Sequence, residues 1–273
     1  MPSRPRCVRQ MKQRHTTEGD TSDAKSLQWC EAHEVDPDLY RIPNADERFF
    51  HSRSREPVVQ AVIRHATEHS RVVEIGCGSG ADSVCLALAG LCVTALDISP
   101  HMLDAGEELL RHAQEQFPGR TLDITFALGD IFDLADYRER FDIALSFSVI
   151  QIWASREKRL WALRNMRETL VRGGVLCIVA THTRNPLFRV LPVASLVGDM
   201  AEYDLSIFAE ELQTAGFALV SSEPMGLSAT FGQWVGFRPL IPILRLANHF
   251  FRLLPRRLQM LVAPHYLIVA KRS

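Results

Sequence analysis

Glycines at positions 76, 78 and 80, with an acid just before them and another well after, are the residues of this chain best suited to chemistry. The run Val72-Val73-Glu74-Ile75-Gly76-Cys77-Gly78-Ser79-Gly80 reads as a short apolar strand, a turn and the start of a helix. Glycine at these positions permits positive φ and removes the Cβ atoms that would hold a ligand off the main chain. A cofactor can then lie directly on the backbone. Asp97 ends the next apolar run, about twenty residues after the first glycine, the spacing that sets a carboxylate on the ribose hydroxyls of a nucleoside in a βαβ unit. Burying a carboxylate there without partners is costly, which favours a ligand-binding role for Asp97.

Two nucleoside cofactors suit this turn. Gly76-Cys77-Gly78-Ser79-Gly80-Ala81 also fits the looser G-x-G-x-x-A fingerprint of nicotinamide and flavin enzymes, and Asp97 serves either. The wider pattern is more specific: Glu74-Ile75-Gly76-Cys77-Gly78-Ser79-Gly80, then Leu96-Asp97-Ile98-Ser99, Gly129-Asp130-Ile131, Phe141-Asp142 and Arg172-Gly173-Gly174, each beside a successive strand. In this order the chain resembles the class I S-adenosylmethionine-dependent methyltransferases over roughly residues 55 to 224.

That resemblance implies an α/β fold: a Rossmann-like, doubly wound, seven-stranded sheet, mostly parallel with an antiparallel last strand, in the order 3-2-1-4-5-7-6. It implies S-adenosyl-L-methionine as cofactor. The turn at Gly76, Cys77, Gly78 and Gly80 would accommodate the methionine part, and Glu74 would help bind its ammonium group. Asp97 would take the ribose diol, Asp130 the adenine amino group, and the N–H of Ile131 a ring nitrogen. Ile98 and Met102 would pack near the adenine plane, and Ser146 would complete the cofactor side. Each has a plainer competitor: Glu74 orienting the loop, Asp130 capping its turn, Met102 packing inside a helix.

The elements that must position these residues alternate as βα units do. Strands are expected at 72–75, 92–96, 123–128, 143–147, 174–180, 217–221 and 266–270, and helices at 56–68, 81–89, 100–116, 156–170 and 205–215. Ser99 before Pro100 is a natural N-cap with proline at the first helical position, and Gly216 stops the helix before it. Residues 1–39 are polar without a sustained apolar period and read as a flexible arm, leaving 40–273 as one methyltransferase domain with order beginning near Tyr40. In that leading part Phe50 is expected to close over the ligand.

Acceptor-binding residues belong at the carboxyl ends of the strands. After the fourth strand these are Ser148, Gln151 and Trp153; after the fifth, Arg184 for binding and His182 as the candidate general base, since imidazole titrates near neutrality. A hydrogen-bonded loop histidine is the plainer alternative. Ser146-Phe147-Ser148-Val149 stands where the nitrogen-methylating DNA and glutamine enzymes carry an Asn or Asp-Pro-Pro-aromatic run, which argues against base amino groups. No clustered acids suit a divalent metal, so no metal is expected.

A net charge of −1 and a hydrophobic fraction of 47% disfavour a nucleic-acid binder and a disordered chain. The six cysteines include no C-x-x-C pair and read as reduced thiols, and no apolar stretch approaches a membrane span, so a cytoplasmic protein is expected. From Phe231 to the end there are seven Lys or Arg and no acid, interleaved with apolar residues and broken by Pro239, Pro242 and Pro255. The segment 231–261 suits a substrate pocket, a membrane surface or plain packing. The expected activity is methyl transfer to a small hydrophobic molecule, oxygen the favoured acceptor. A membrane-associated lipid or quinone methyltransferase, a nicotinamide-dependent oxidoreductase and a catalytically silent cofactor-binding subunit stand as alternatives. The oligomeric state is open.

Overall fold

Strands that read as near-continuous apolar runs must be covered on both faces, and that requirement organises the molecule. A computed structural model describes residues 56–186, 203–226 and 241–273, the side chains of the last segment from 246 onward. The arm assigned to 1–39, the onset of order near Tyr40 and the ligand-closing role of Phe50 lie outside the described residues.

The described elements run α1 (Glu56–His65), β1 (Arg71–Ile75), α2 (Ala81–Leu88), β2 (Cys92–Asp97), α3 (Pro100–Gln116), β3 (Ile124–Leu128), β4 (Phe141–Phe147), α4 (Arg156–Thr169), β5 (Leu170–Thr181), α5 (Leu205–Thr214), β6 (Phe217–Met225), α6 (Ile241–Leu253), α7 (Arg256–Val262) and β7 (His265–Arg272). The seven strands form one sheet in the order β3-β2-β1-β4-β5-β7-β6, as the resemblance implied. β1 to β5 pair in parallel, and β7 runs antiparallel between β5 and β6.

Alternation along each strand splits the core into two layers. Val72, Ile143, Leu145, Cys177 and Val179 face one way, against Val58 and Val62 of α1 and Val84 and Leu86 of α2. Val73, Ile75, Ala144, Leu176 and Ile178 face the other way, against Leu163 and Met166 of α4 and Phe208 and Leu212 of α5, with Phe251 of α6 in the same layer. Each fully buried aliphatic side chain contributes about 1.5–3 kcal/mol, so the sheet is held from both sides.

Several elements exceed their sequence boundaries. β5 begins at Leu170 and runs through Gly173-Gly174, and β6 extends to Met225 despite Pro224. Proline is tolerated there because β6 is an edge strand, paired only with β7 among the described residues. Helix α6 is thirteen residues long, not a set of short pieces, because Pro242 falls in its first turn, where a missing N–H costs nothing. No helix of the described residues is long and apolar enough to cross a membrane.

Candidate functional site

Strand order reverses between β1 and β4, so the loops that follow them diverge and leave a crevice at the carboxyl edge of the sheet. The first loop is short and tied down. The N–H groups of Gly76 and Cys77 donate to the carbonyl of Leu96 at 2.8 and 2.9 Å, and Gly80 enters α2 with φ of 70°.

The three glycines serve different ends. All have positive φ, at 74°, 54° and 70°. A Cβ on Gly76 would stand 2.5 Å from Val149 Cγ2, and one on Gly80 would stand 2.3 Å from the Phe126 ring. Packing therefore demands glycine at both. A Cβ on Gly78 would meet nothing within 4 Å. The open, ligand-ready part of the turn is thus Gly78, which narrows the expectation that all three keep a ligand's path clear. The Phe126 ring also excludes a side chain at Gly106 of α3, 2.6 Å from the Cβ position there.

Asp97 spans the crevice floor. One carboxylate oxygen accepts from Gly78 N at 2.8 Å and the other from Ser99 N at 2.9 Å. Burial pushes its pKa up, opposed by the hydrogen bonds from Ser99, Gly78 and Ile98. Glu74 is 1% exposed and accepts the Ser83 hydroxyl of α2, which gives it a loop-orienting role whatever else it does. Burial, then the charges of Glu74 and Asp97, raise the Cys77 thiol well above its ordinary value, so it stays a neutral thiol.

Asp130 and Ile131 follow β3, both buried. Asp130 accepts from Phe132 N at 2.9 Å, capping its turn, and the Ile131 carbonyl accepts from Asn165 of α4. Ile98 is half-buried and Met102 buried at the start of α3, whose N-cap is Ser99 as expected. Ser146 is a correction: it is fully buried and its hydroxyl donates to the Ile75 carbonyl at 2.9 Å, so its proton ties β4 to β1 rather than facing a ligand.

The stretch after β4 turns back onto the glycine loop through Val149. Ser148 takes φ of 56°, and its Oγ, Gln151 Oε1 and Trp153 Nε1 are buried without a hydrogen-bond partner. Gln151 Nε2 donates to Thr181 Oγ1 at 3.0 Å, and Thr181 in turn meets His265 Nδ1 at 3.2 Å. Trp153 packs edge-on against Phe132 with ring centroids 5.0 Å apart. Its carbonyl and that of Ala154 accept from Arg159 at 2.8 and 2.7 Å.

After β5, His182 lies against the chain that leads into β7. Its Nδ1 meets the Ala263 carbonyl at 3.1 Å and the Tyr266 hydroxyl at 2.7 Å, while that hydroxyl donates to the Met260 carbonyl at 2.8 Å. These partners assign the proton to Nδ1 and leave Nε2 as the basic nitrogen. Desolvation lowers the His182 pKa from 6.5, outweighing the Ala263 hydrogen bond. Arg184 is half-exposed and pairs through one guanidinium nitrogen with Asp204 at 3.1 Å.

A model described as "Methyltransferase domain" matches residues 72–174. Arsenite methyltransferase of Rattus norvegicus is 29% identical over 123 residues, 42% of this chain and 32% of that protein. Ubiquinone biosynthesis O-methyltransferase of Cereibacter sphaeroides is 32% identical over 116 residues, 42% of each chain. Magnesium protoporphyrin IX methyltransferase from Synechocystis PCC 6803, solved with S-adenosylhomocysteine, superposes with a TM-score of 0.63 over 92% of this chain and all of that one, at 17% identity. The chain carries, over residues 72–174, a methyltransferase domain similar to those of S-adenosylmethionine-dependent enzymes. It spans less than half the length of the curated relatives it matches.

Within this domain the crevice residues fit S-adenosylmethionine: an uncrowded backbone at Gly78, a buried carboxylate at Asp97 and an acid at Asp130 line one edge. Sequence reasoning missed His265 and Tyr266 as site residues, because only the antiparallel register Thr181↔His265 brings them to this edge. It also missed a buried cluster. Arg159 of α4 pairs with Glu211 of α5 at 2.6 Å and lies over the Tyr203 ring, whose hydroxyl also donates to Glu211. Arg159 sits in a helix whose other basic residues are exposed or half-buried, and no spacing rule separates it from them.

Proposed function

We propose that the protein transfers a methyl group from S-adenosylmethionine to the oxygen of a small hydrophobic molecule. The observation that carries this is the pairing of Asp97 with an open Gly78: a buried carboxylate already accepts one backbone N–H from the turn and another from the head of α3, beside the only member of the turn's three glycines with free space over it.

When bound, the cofactor supplies an electrophilic methyl carbon on sulfur and leaves as a neutral thioether. The chain's task is then positioning and proton management. Asp97 would accept from the ribose diol while holding the turn, and Asp130 with Ile131 would meet the adenine edge. Glu74, fixed by Ser83, would orient the turn toward the methionine end. His182 would take the acceptor's proton on Nε2, its Nδ1 proton anchored by Ala263 and Tyr266. A lowered pKa keeps that imidazole neutral and ready near pH 7. The orphaned Ser148 Oγ, Gln151 Oε1 and Trp153 Nε1 would find partners in the bound molecules, since buried polar atoms rarely stay unpaired. The curated relative from Cereibacter sphaeroides, an O-methyltransferase by name, supports an oxygen acceptor.

Calorimetry with S-adenosylhomocysteine tests the cofactor half: binding to the native chain is expected, weakened about tenfold or more by Asp97→Asn. Binding of a nicotinamide dinucleotide in its place would overturn the proposal. A tritiated methyl donor offered with a hydrophobic phenol, an amine and arsenite tests the acceptor, and label in the phenol is expected. His182→Ala should lower kcat by roughly 10²–10⁴ at unchanged cofactor affinity.

A further inference from the structure

Among the described residues nine large apolar side chains are exposed, and five of them stand on α6 and α7: Leu246, Phe250, Leu253, Leu258 and Leu261. The first three recur at i, i+4 and i+7, and the last two at i, i+3, so each helix carries an outward apolar stripe. Neither stripe is needed to hold its helix. The inner side of α6 is already spent on Phe251, which is 6% exposed within the main core, and on buried Asn248, while Leu254 and Met260 pack against that core.

Charge selects what covers these stripes. Arg252, Arg256 and Arg257 are exposed between them, with His249 alongside. No acid follows Glu223 in the chain, so nothing in this segment neutralises them. Exposed leucines and a phenylalanine flanked by arginines, without a carboxylate, fit a surface that is apolar beneath and anionic at its rim. An acidic protein groove would meet the arginines but offers no general reason for two separate apolar stripes. We propose that α6 and α7 dock the protein on an anionic lipid surface.

The position of these helices gives the docking a purpose. β7 is antiparallel, so α7 leads into it at the carboxyl edge of β5, where Thr181 pairs with His265. Asn185 donates to the carbonyls of Val262 and Ala263 at 2.9 Å, and Ala263 is also the partner of His182. The end of α7 is thus hydrogen-bonded to the loop that carries the candidate base. Resting on the methyl-transfer proposal above, this makes the bilayer the source from which a hydrophobic acceptor reaches the crevice.

Flotation of the full chain with vesicles of phosphatidylcholine alone, and of phosphatidylcholine mixed with phosphatidylglycerol, tests the docking. Binding at least tenfold tighter to the anionic vesicles is expected, falling with added salt. Phe250→Ser with Leu253→Ser should lose at least tenfold on those vesicles. Arg252→Gln with Arg257→Gln should lose about thirtyfold, at roughly fivefold per arginine. Both variants should keep native far-ultraviolet dichroism and S-adenosylhomocysteine affinity. Equal binding to the two vesicle types, or variants that float as the native chain does, would overturn the proposal. So would a native dimer that the serine variant converts to monomer, since a second copy would then cover the stripes. Vesicle binding without cofactor affinity would sink the methyl-transfer proposal alone, and cofactor affinity without vesicle binding the docking alone.

Discussion

On the β1–β3 side of the crevice, hydrogen bonds that hold the three acids join residues close in the chain: Glu74 with Ser83 nine residues apart, Asp97 with Gly78 nineteen apart, Asp130 with Phe132 two apart. On the β4–β7 side the separations are 52 for Arg159 with Glu211 and 84 for both His182 with Tyr266 and Thr181 with His265. The acids of one half are set by local turns and caps, the polar residues of the other by sheet pairing and helix docking. The side proposed to hold the cofactor can therefore be specified by a motif, whereas the side proposed to bind the acceptor depends on the whole sheet having formed. A fold that keeps one cofactor and varies its acceptor benefits from that division.

Breaking the distant half should cost the most. Arg159→Ala takes from buried Glu211 its close cation, leaving the Tyr203 hydroxyl and Arg156 at 3.9 Å, and releases the carbonyls of Trp153 and Ala154, so a loss of about 3 kcal/mol is expected by chemical denaturation. Gly80→Ala comes next. Left-handed φ and the collision with Phe126 should together cost about 2–4 kcal/mol in the same measurement. Gly78→Ala sharpens the contrast: with open space over it, only backbone strain of about 1–2 kcal/mol is expected, while cofactor affinity measured by calorimetry should fall well beyond that of any other single alanine in the turn.

The pH responses of the two halves should differ in sign of use. Asp97 has a folded pKa raised above 3.8, so the folded state takes up its proton more readily than the unfolded chain. Its contribution to stability is present below the unfolded value and is lost as pH rises through the folded one. Cofactor affinity should move oppositely, declining as pH falls through the raised value, and Asp97→Asn should flatten both trends. His182, with its pKa lowered from 6.5, should place the acid limb of kcat/KM below that value. The smallest expected effect is that of Tyr266→Phe, which removes one of two Nδ1 partners. It should cost about 0.5–1.5 kcal/mol and shift that limb without abolishing turnover.

Legibility followed the same division. The strand-turn-helix of Val72 to Leu88, the Ser99 cap and the span of α3 were readable because capping, proline placement and alternating burial act over a few residues. The ends of β5 and β6 were not, because pairing with β7 lengthens strands past the point where their own composition would stop them. Ser146 looked like a ligand residue from its place at the end of β4, but its outward neighbour is Ile75 of β1, known only once the two strands are side by side. The pairing of Arg184 with Asp204, twenty residues on, was likewise hidden until the chain had folded.

The amino-acid order alone determined a glycine turn after the first strand, the buried aspartate beside it and the alternating βα architecture around them, since these depend on backbone freedom and periodicity within short stretches. Only the folded sheet decided that Gly76 and Gly80 answer to Val149 and Phe126, that His182 is steered by Ala263 and Tyr266, and that an arginine–glutamate pair anchors the loop after β4. Those contacts join segments dozens of residues apart. Their geometry exists only after burial and strand register have brought the segments together.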